Sequence, residues 1–363
     1  MVSRPQSGTG LIRLAWPNVG EEELAEIREV LESGRLTMGP KVAELEELLA
    51  DAAGTAHAVA VSSGTAALHL GVLALGLGPG DEVLVPAYTF PATGNVVALC
   101  GATPVLVDVD PETMNMDPAD AARRVSKRTK AVLAVHLFGR PARLDEYPKQ
   151  PVLEDAAGAL GASRDGRPCG SLGALACFSF HPRKIVTTGE GGGVTTDDAA
   201  LAERVRSLRH HGWSPADQYS DLPLPAFNYR LSDVLCALGL PQLRKLDELH
   251  AAHERIAAGY AERLAGLEVV LPTADEGDRH GWQAYVIQLN RRDEVMTGLR
   301  ARGIECQIGT YALHRLGAYR GQGPFPGADE VFERALALPF HARLTEGELD
   351  RVAEALDKLV SHH

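Results

Sequence analysis

A polar run, Ser62 to Thr65, separates an apolar strand-like segment from a helix-like one. Free backbone amides and the positive partial charge at a helix N-terminus favour an anion at such a turn. Gly64 would let the anion approach the backbone closely, and the hydroxyls beside it add donors. A phosphate group is the natural ligand, and an ordinary helix N-cap is the alternative interpretation.

Glu154 and Asp155 follow the apolar pair Val152 and Leu153, at the predicted carboxyl end of a strand. Open α/β sheets place ligand-binding groups at that end, where a carboxylate needs a cationic partner. Successive strand residues point to opposite faces, so the two carboxylates need not form an acid and base pair. For a single Asp at this position, a helix cap is the alternative.

Lys184 ends the segment Ser179-Phe180-His181-Pro182-Arg183-Lys184, and a glycine-rich stretch, 187–193, follows it. Beside another cation in a partly apolar setting, the pKa of a lysine falls and its amine can form a Schiff base. A solvated surface charge is the alternative for a lone lysine. The segment therefore indicates a candidate nucleophile.

Taken together, these three groups match the needs of one cofactor. Pyridoxal phosphate requires a phosphate anchor, an acidic partner for its ring nitrogen and a lysine amine for its Schiff base. The combination is more specific than any of its parts, and it predicts a pyridoxal phosphate enzyme.

The chain also resembles the DegT/DnrJ/EryC1/StrS family of fold-type I pyridoxal phosphate aminotransferases. The similar motifs run almost end to end: SSGTAALHL, GDEVLVPAYTFPATGN, GATPVLVDVD, EDAAGALGA, SFHPRKIVTTGEGG, FNYRLSD and LALPFHARLTEGELDRV. This resemblance implies an α/β fold like that of aspartate aminotransferase, with a large, mainly parallel sheet of the seven-stranded type and a smaller α+β domain. We place the large cofactor-binding domain, with its N-terminal helical segment, at residues 1–245 and the small domain at 246–363.

The resemblance also implies a role for individual residues. Lys184 would form the internal aldimine, Asp155 would pair with the pyridinium nitrogen, and Phe90 would stack on the cofactor ring. The residues expected to hold the phosphate are Gly64, Thr65, Ser179 and, from the neighbouring subunit of a homodimer with shared active sites, Asn228. The family usually has Gln or His three positions after the Asp, where this chain has Gly158, and we assign Gly158 no role.

The implied activity is a ping-pong transfer of an amino group from L-glutamate or L-glutamine to a keto sugar, carried on a nucleotide, or to a keto cyclitol. Two alternatives stay open: a sugar dehydratase or deoxygenase of the same family, and a non-catalytic regulatory relative. Lys184 argues against the first, because such relatives carry His at that position. Lys184, Asp155 and Ser179 together argue against the second. The sequence does not choose the acceptor, the donor or the carbon that is aminated.

Other polar residues could contact the substrate, but each has a structural alternative. His210 and His211 could cap a helix, and Arg230 could serve a subunit interface. Tyr311 and His314 could line the acceptor pocket from the small domain. We keep all five outside the catalytic set.

The elements that must position these groups follow from hydrophobic periodicity. Short apolar runs in the central third alternate with helix-like segments, which is typical of βα units with helices on both sheet faces. The predicted strands are 58–61, 83–85, 105–107, 131–135 and 152–153, with 268–271 and 284–289 later in the chain. The predicted helices are 21–31 after an Asn18 cap, 41–53, 232–264 with a disturbance at Pro241, 293–302, 328–336 and 346–359.

Composition narrows the class of protein further. The 363 residues carry 48 acidic and 36 basic side chains, a net charge of −12, which argues against nucleic acid or an anionic membrane as the main partner. Five scattered cysteines predict neither a metal site nor a disulfide framework. We see no secretion signal and expect a cytoplasmic protein. The uncharged stretches 52–80 and 83–107 are interrupted by Gly and Pro, so we interpret them as buried βα segments rather than membrane spans.

Overall fold

The computed structural model describes residues 10–213 and 222–361. Two helices, α1 (Glu21–Ser33) and α2 (Pro40–Ala53), precede the first sheet. Both helices end at a glycine with a left-handed backbone, Gly34 after α1 and Gly54 after α2, which side chains adopt only at a cost. Proline at the start of α2 suits the first turn, where its missing N–H is not needed.

A seven-stranded sheet dominates the structure, in the spatial order β1-β10-β9-β6-β5-β2-β4. All strands run parallel except β10, which pairs antiparallel with both β1 and β9. The seven strands of this sheet are β1 (His57–Val61), β2 (Glu82–Pro86), β4 (Thr103–Val107), β5 (Thr129–Val135), β6 (Val152–Asp155), β9 (Leu175–Ser179) and β10 (Gly192–Thr196). The central strands are buried along most of their length, as expected for a sheet covered on both faces.

Helices between these strands cover the sheet. They are α3 (Gly64–Ala74), α4 (Ala92–Leu99), α5 (Pro118–Arg124) and α6 (Ala199–Arg209). α3 packs against β9 and β10, and its apolar residues such as Leu68 and Leu70 join the largest core cluster. Together with the sheet order, this layering confirms the predicted α/β class.

The C-terminal part has its own small sheet and core. A three-stranded antiparallel sheet, in the order β11-β14-β12, consists of β11 (Tyr285–Gln288), β12 (Gln307–Ile308) and β14 (Ala335–Leu338). The surrounding helices are α9 (Arg292–Ala301), α10 (Pro326–Arg334) and α11 (Glu346–Val360). Ile12 from the N-terminal segment also packs into this core, and its amide donates to the Gly303 carbonyl at 2.8 Å.

Two helices connect the large sheet with this C-terminal part. α7 (Asp233–Arg244) packs against α1 and α2, and α8 (Leu246–Leu264) packs against α11. The long predicted helix is therefore broken at Lys245, whereas Pro241 lies inside α7. The division into domains at 245/246 stays a prediction, and it coincides with this break.

Short two-stranded ladders complete the described structure. β3 (Tyr88–Thr89) pairs with β13 (Tyr311–Ala312), which links the large sheet to the C-terminal part, and β7 (Ser163–Arg164) pairs with β8 (Arg167–Pro168). In the described ranges, no helix has both the length and the apolar character needed to cross a membrane.

Besides the broken long helix, three predictions differ from the structure. The segment 268–271 forms only an isolated bridge between Val270 and Gln288, not a strand. The predicted helix 328–336 ends at Arg334, because Ala335 and Leu336 enter strand β14 at the centre of the small sheet. Gly20, and not Asn18, is the residue that precedes the first turn of α1, where Glu23 accepts its amide at 2.6 Å.

Candidate active site

The candidate residues converge on the carboxyl ends of neighbouring strands. Asp155 is the last residue of β6 and Ser179 the last of β9, and these strands are parallel neighbours in the sheet. Gly64 begins α3 shortly after β1 ends. The carboxyl ends of parallel strands are where open α/β sheets bind ligands.

The predicted phosphate turn lies at the N-terminus of α3. The Ser63 hydroxyl accepts the Ala66 amide at 3.0 Å, so the helix is capped from within. A Cβ added to Gly64 would lie 2.7 Å from Cβ and 3.1 Å from Oγ of Ser179, so only glycine fits here. The structure thus brings Gly64 and Ser179 together, with Thr65 exposed in the same turn. The first amides of a helix have no partner inside it, and they would be available to an anion.

Asp155 carries a buried carboxylate held by two donors. The Thr93 hydroxyl donates to Oδ2 at 2.9 Å, and the Ala157 amide donates to Oδ1 at 3.2 Å. The Thr93 hydroxyl has one proton, which it donates to Asp155. The neighbouring Thr89 hydroxyl, 3.1 Å away, therefore donates to the Thr93 oxygen. Only 6% of Asp155 is exposed.

Burial raises the pKa of Asp155, whereas the hydrogen bonds from Thr93 and Ala157 and the charge of Lys184 lower it. No ion pair joins Asp155 to any residue in the described part of the chain. A buried carboxylate without a cation is costly. A cationic group of a ligand could therefore pair with this carboxylate.

Glu154, the other carboxylate of the pair, faces away into a structural network. It accepts the backbone amides of Gly170, Leu172 and Gly173 at 2.6–2.8 Å and lies 2.9 Å from His136 Nε2. Because the Ala142 amide donates to His136 Nδ1, the proton of the neutral imidazole is on Nε2 and points at Glu154. Glu154 thus fixes the turn before β9, and Asp155 alone faces the site.

Lys184 lies on a loop that is closed by a buried amide. Gln242 of α7 accepts the Thr187 amide and donates to the Thr187 carbonyl, both at 2.9 Å. Desolvation lowers the pKa of Lys184, and the charge of Arg183 lowers it further, against the opposing effect of Asp155. This direction agrees with the depressed lysine pKa expected from the sequence, and it favours a neutral, nucleophilic amine.

Arg183 ties this loop to the C-terminal part. Its Nη1 donates to Gln307 Oε1 of β12 at 2.7 Å, and its carbonyl accepts Gln283 Nε2 at 3.4 Å. A cavity of about 420 Å³ opens beside it. The lining residues are Leu11, Leu14, Arg183, Arg300, Ile304, Glu305, Cys306 and Gln307.

Phe90 follows β3 and presents an unusually exposed ring, 60% accessible. Its ring centroid lies 6.3 Å from that of Tyr311, in an edge-to-face arrangement held by the β3 and β13 ladder. An exposed aromatic face at this place is available for stacking on a planar ligand. Tyr311 therefore lies beside the site, whereas His314 packs on Phe325 and contacts Asp329.

Asn228 lies on an exposed segment that bridges to His210. The same segment runs beside the end of β1, where the Tyr229 carbonyl accepts the Ser62 amide at 2.8 Å. Arg230 Nη1 contacts His210 Nδ1 at 2.5 Å. The predicted contact between Asn228 and the phosphate of a neighbouring subunit stays a prediction.

Thr93 is a site residue that the sequence analysis missed. It lies in the TFPAT stretch, where nothing distinguishes its hydroxyl from that of any other helix residue. The sequence offers only an indirect sign of this role. A buried Asp at a strand end, with no cation near it in sequence, needs hydrogen-bond donors from elsewhere in the fold.

Comparisons with known proteins find similarity along almost the whole chain. The model of the DegT/DnrJ/EryC1/StrS aminotransferase family matches residues 17–357. GDP-perosamine synthase of Caulobacter vibrioides is 40% identical over 365 residues, which cover 96% of this chain and 98% of that enzyme.

Solved structures of similar proteins share the fold. S. venezuelae DesV, solved with a ketimine intermediate, aligns with a TM-score of 0.90 at 35% identity, covering 94% of this chain and 95% of DesV. DesI, solved in the presence of its TDP-sugar product, aligns with a TM-score of 0.91 at 35% identity, covering 97% of this chain and 94% of DesI.

Thr93→Val tests the hydrogen bond to Asp155 while keeping the size of the side chain. Burial already raises the pKa of Asp155, and loss of this donor raises it further, so the carboxyl becomes neutral at a higher pH. We expect the acidic limb of the pH–rate profile of amino transfer to move to higher pH, with a rate loss of about tenfold at neutral pH. Thr93→Ser retains the hydroxyl and is the control. An unchanged profile in Thr93→Val would exclude this role.

Proposed function

Because the chain belongs to the DegT/DnrJ/EryC1/StrS aminotransferase family, we propose that it transfers an amino group from L-glutamate or L-glutamine to a nucleotide-linked keto sugar. Members of this family are pyridoxal phosphate enzymes, and this chain is a pyridoxal phosphate-dependent aminotransferase. The observation that carries the proposal is the buried carboxylate of Asp155, which forms no ion pair with any described residue and lies at the strand end beside the Lys184 loop.

The residues present fit the cofactor. Gly64, Thr65 and Ser179 would hold its phosphate at the start of α3, Phe90 would stack on its ring, and Asp155 would face its ring nitrogen. When bound, pyridoxal phosphate acts as an electron sink that acidifies the Cα–H bond of the amino donor. Asp155 would hold the ring-nitrogen proton in place, and the Lys184 amine would hold the cofactor between turnovers. Once released by the amino donor, Lys184 Nζ would accept the proton from Cα of the substrate and deliver it to C4′ of the cofactor.

Two kinds of support favour a nucleotide-linked acceptor over a free cyclitol. GDP-perosamine synthase is named for a nucleotide sugar, and DesI was solved with a TDP-sugar product. The cavity beside Arg183 has about 420 Å³, within the size range of small-molecule sites. Neither Arg183 nor Arg300 forms an ion pair with a carboxylate among the described residues, so their charges are available to phosphate groups, although Glu305 also lines the cavity.

Turnover of candidate substrates tests the proposal directly. The protein loaded with the amino form of the cofactor should react in a single half-reaction with a GDP- or TDP-linked keto sugar and return its absorbance to that of the pyridoxal form. Reaction with free keto cyclitols but with no nucleotide-linked keto sugar would reject the proposed acceptor class.

Lys184→Ala should abolish turnover and remove the absorbance of the lysine-bound cofactor while leaving the fold intact. Within the described part of the chain, the Lys184 side chain makes no hydrogen bond or ion pair, so its removal costs little stability. Circular dichroism checks the fold, and borohydride reduction followed by mass spectrometry checks the adduct. A reducible cofactor adduct that persists in Lys184→Ala would place the Schiff base on another lysine.

Asp155→Asn should retain the fold and lose activity, because a neutral amide no longer holds the ring-nitrogen proton. A loss of ~3 kcal/mol of transition-state stabilisation corresponds to roughly a hundredfold lower rate. The half-reaction with L-glutamate, followed by absorbance, measures this loss. Near-normal rates in Asp155→Asn would assign the ring-nitrogen partner to a different residue.

The proposed homodimer shares its active sites, with Asn228 of one subunit reaching the phosphate held by the other. Lys184→Ala and an inactivating Asn228 variant should then complement each other. In a heterodimer of the two, one site collects both defects and the other has Lys184 from one chain and Asn228 from the other. Activity should therefore return when the two proteins are unfolded, mixed and refolded. If heterodimers form and stay inactive, Asn228 acts within its own chain.

A further inference from the structure

Gly158, three residues after Asp155, lies under a side chain from the C-terminal part of the molecule. A Cβ added to Gly158 would lie 3.2 Å from Oε1, 3.3 Å from Cβ and 3.4 Å from Cγ of Gln283. These separations are shorter than the optimal carbon contact of about 3.5–4.0 Å. A side chain at 158 would therefore require Gln283 to move from its present position.

The backbone around this point leaves little freedom to either residue. The Gly281 amide donates to the Gly139 carbonyl at 2.7 Å, and the Gln283 amide donates to the Phe138 carbonyl at 3.1 Å. Gly139 has a φ of +98°, and a Cβ there would come within 3.0 Å of the Gly158 carbonyl. The segments that carry Gly139, Gly158 and Gly281 thus pack backbone against backbone, and Gln283 cannot shift as a rigid unit.

The Gln283 side chain also reaches the Lys184 loop. Its Nε2 donates to the carbonyl of Arg183, the residue before Lys184, at 3.4 Å. One half-buried amide therefore lies between the turn that follows Asp155 and the loop that carries Lys184. Asp155 and Lys184 are also close enough for the charge of each to shift the pKa of the other.

We propose that Gln283 is a positioning residue of the cofactor site, which fills the space left open by Gly158 and holds the Lys184 loop through the Arg183 carbonyl. In this arrangement the side-chain amide beside the turn after Asp155 comes from the segment before β11 and not from residue 158. The inference rests on the proposed cofactor site, because it assumes that Lys184 and Asp155 hold pyridoxal phosphate.

A double-mutant cycle between the two positions tests the proposal. Gly158→Gln alone should conflict with Gln283, and Gln283→Ala alone should remove the amide, so each should weaken pyridoxal phosphate binding by about tenfold. The double variant Gly158→Gln/Gln283→Ala should recover to within about threefold of the wild-type Kd, because it restores one amide to one space. The Kd is measured by titrating the apo-protein with pyridoxal phosphate and following absorbance.

Milder variants keep the test informative if Gly158→Gln does not fold. Gly158→Ala adds only the Cβ, so it should weaken binding in the wild-type background and have a smaller effect in the Gln283→Ala background, where the contacts with Cγ and Oε1 are gone and only the contact with Cβ of residue 283 stays. Gln283→Met keeps the length of the side chain without its amide. It should leave the melting temperature of the apo-protein unchanged while weakening cofactor binding and changing the absorption spectrum of the bound cofactor.

Gln307→Ala is the matched control. Gln307 also contacts Arg183 from the C-terminal part, but it contacts the guanidinium and not the carbonyl. Its effect should multiply with that of Gly158→Gln, with no recovery in the double variant.

Two results would overturn the proposal. One is a Kd for Gly158→Gln/Gln283→Ala that equals the product of the single effects, and the other is wild-type binding and spectrum in Gln283→Met. Failure of the proposed function looks different, because Lys184→Ala would then keep the wild-type cofactor adduct. Loss of the adduct in Lys184→Ala is therefore established first. A negative result of the cycle then counts against the role of Gln283 and not against the proposed function.

Discussion

The burial of the Asp155 carboxylate is the constraint on which the rest of the site depends. It lies at the end of β6, near the middle of the large sheet, where burial disfavours its charge. Thr89 and Thr93 form a short chain of hydroxyl donors that ends on Asp155, and the Ala157 amide completes its coordination. These neutral donors compensate only part of the desolvation. In the proposed function, a cationic ring nitrogen facing Asp155 would compensate the remainder.

The C-terminal part contributes to the same site, and its small sheet also packs into the largest core cluster through Val286, Ala335 and Ala337. Gln307 of β12 contacts the Arg183 guanidinium, Gln283 before β11 contacts the Arg183 carbonyl, and Tyr311 of β13 contacts the ring of Phe90. The N-terminal segment joins this part through Ile12. The position of the Lys184 loop thus depends on contacts from both sides, since Gln242 holds it from α7.

Much of this arrangement could be predicted from the sequence, because Gly64, Asp155 and Lys184 lie in local patterns that follow strands. Strand β14 could not, since an apolar run such as Ala335 to Leu338 suits a helix and a buried strand equally well. The role of Gln283 depends on a contact across 100 residues of chain, which local spacing does not encode. For the same reason, the sequence assigns no role to Gly158, and its role becomes visible only through the packing of the Gln283 side chain against it.

The protonation state of the cofactor's ring nitrogen tests the central role of Asp155 most directly. Solid-state ¹⁵N NMR of the holoenzyme, loaded with pyridoxal phosphate labelled at that nitrogen, reports whether it carries a proton. The account predicts a protonated nitrogen at neutral pH in the wild type, held by the ionised Asp155. A deprotonated ring nitrogen in the wild-type holoenzyme at neutral pH would contradict it.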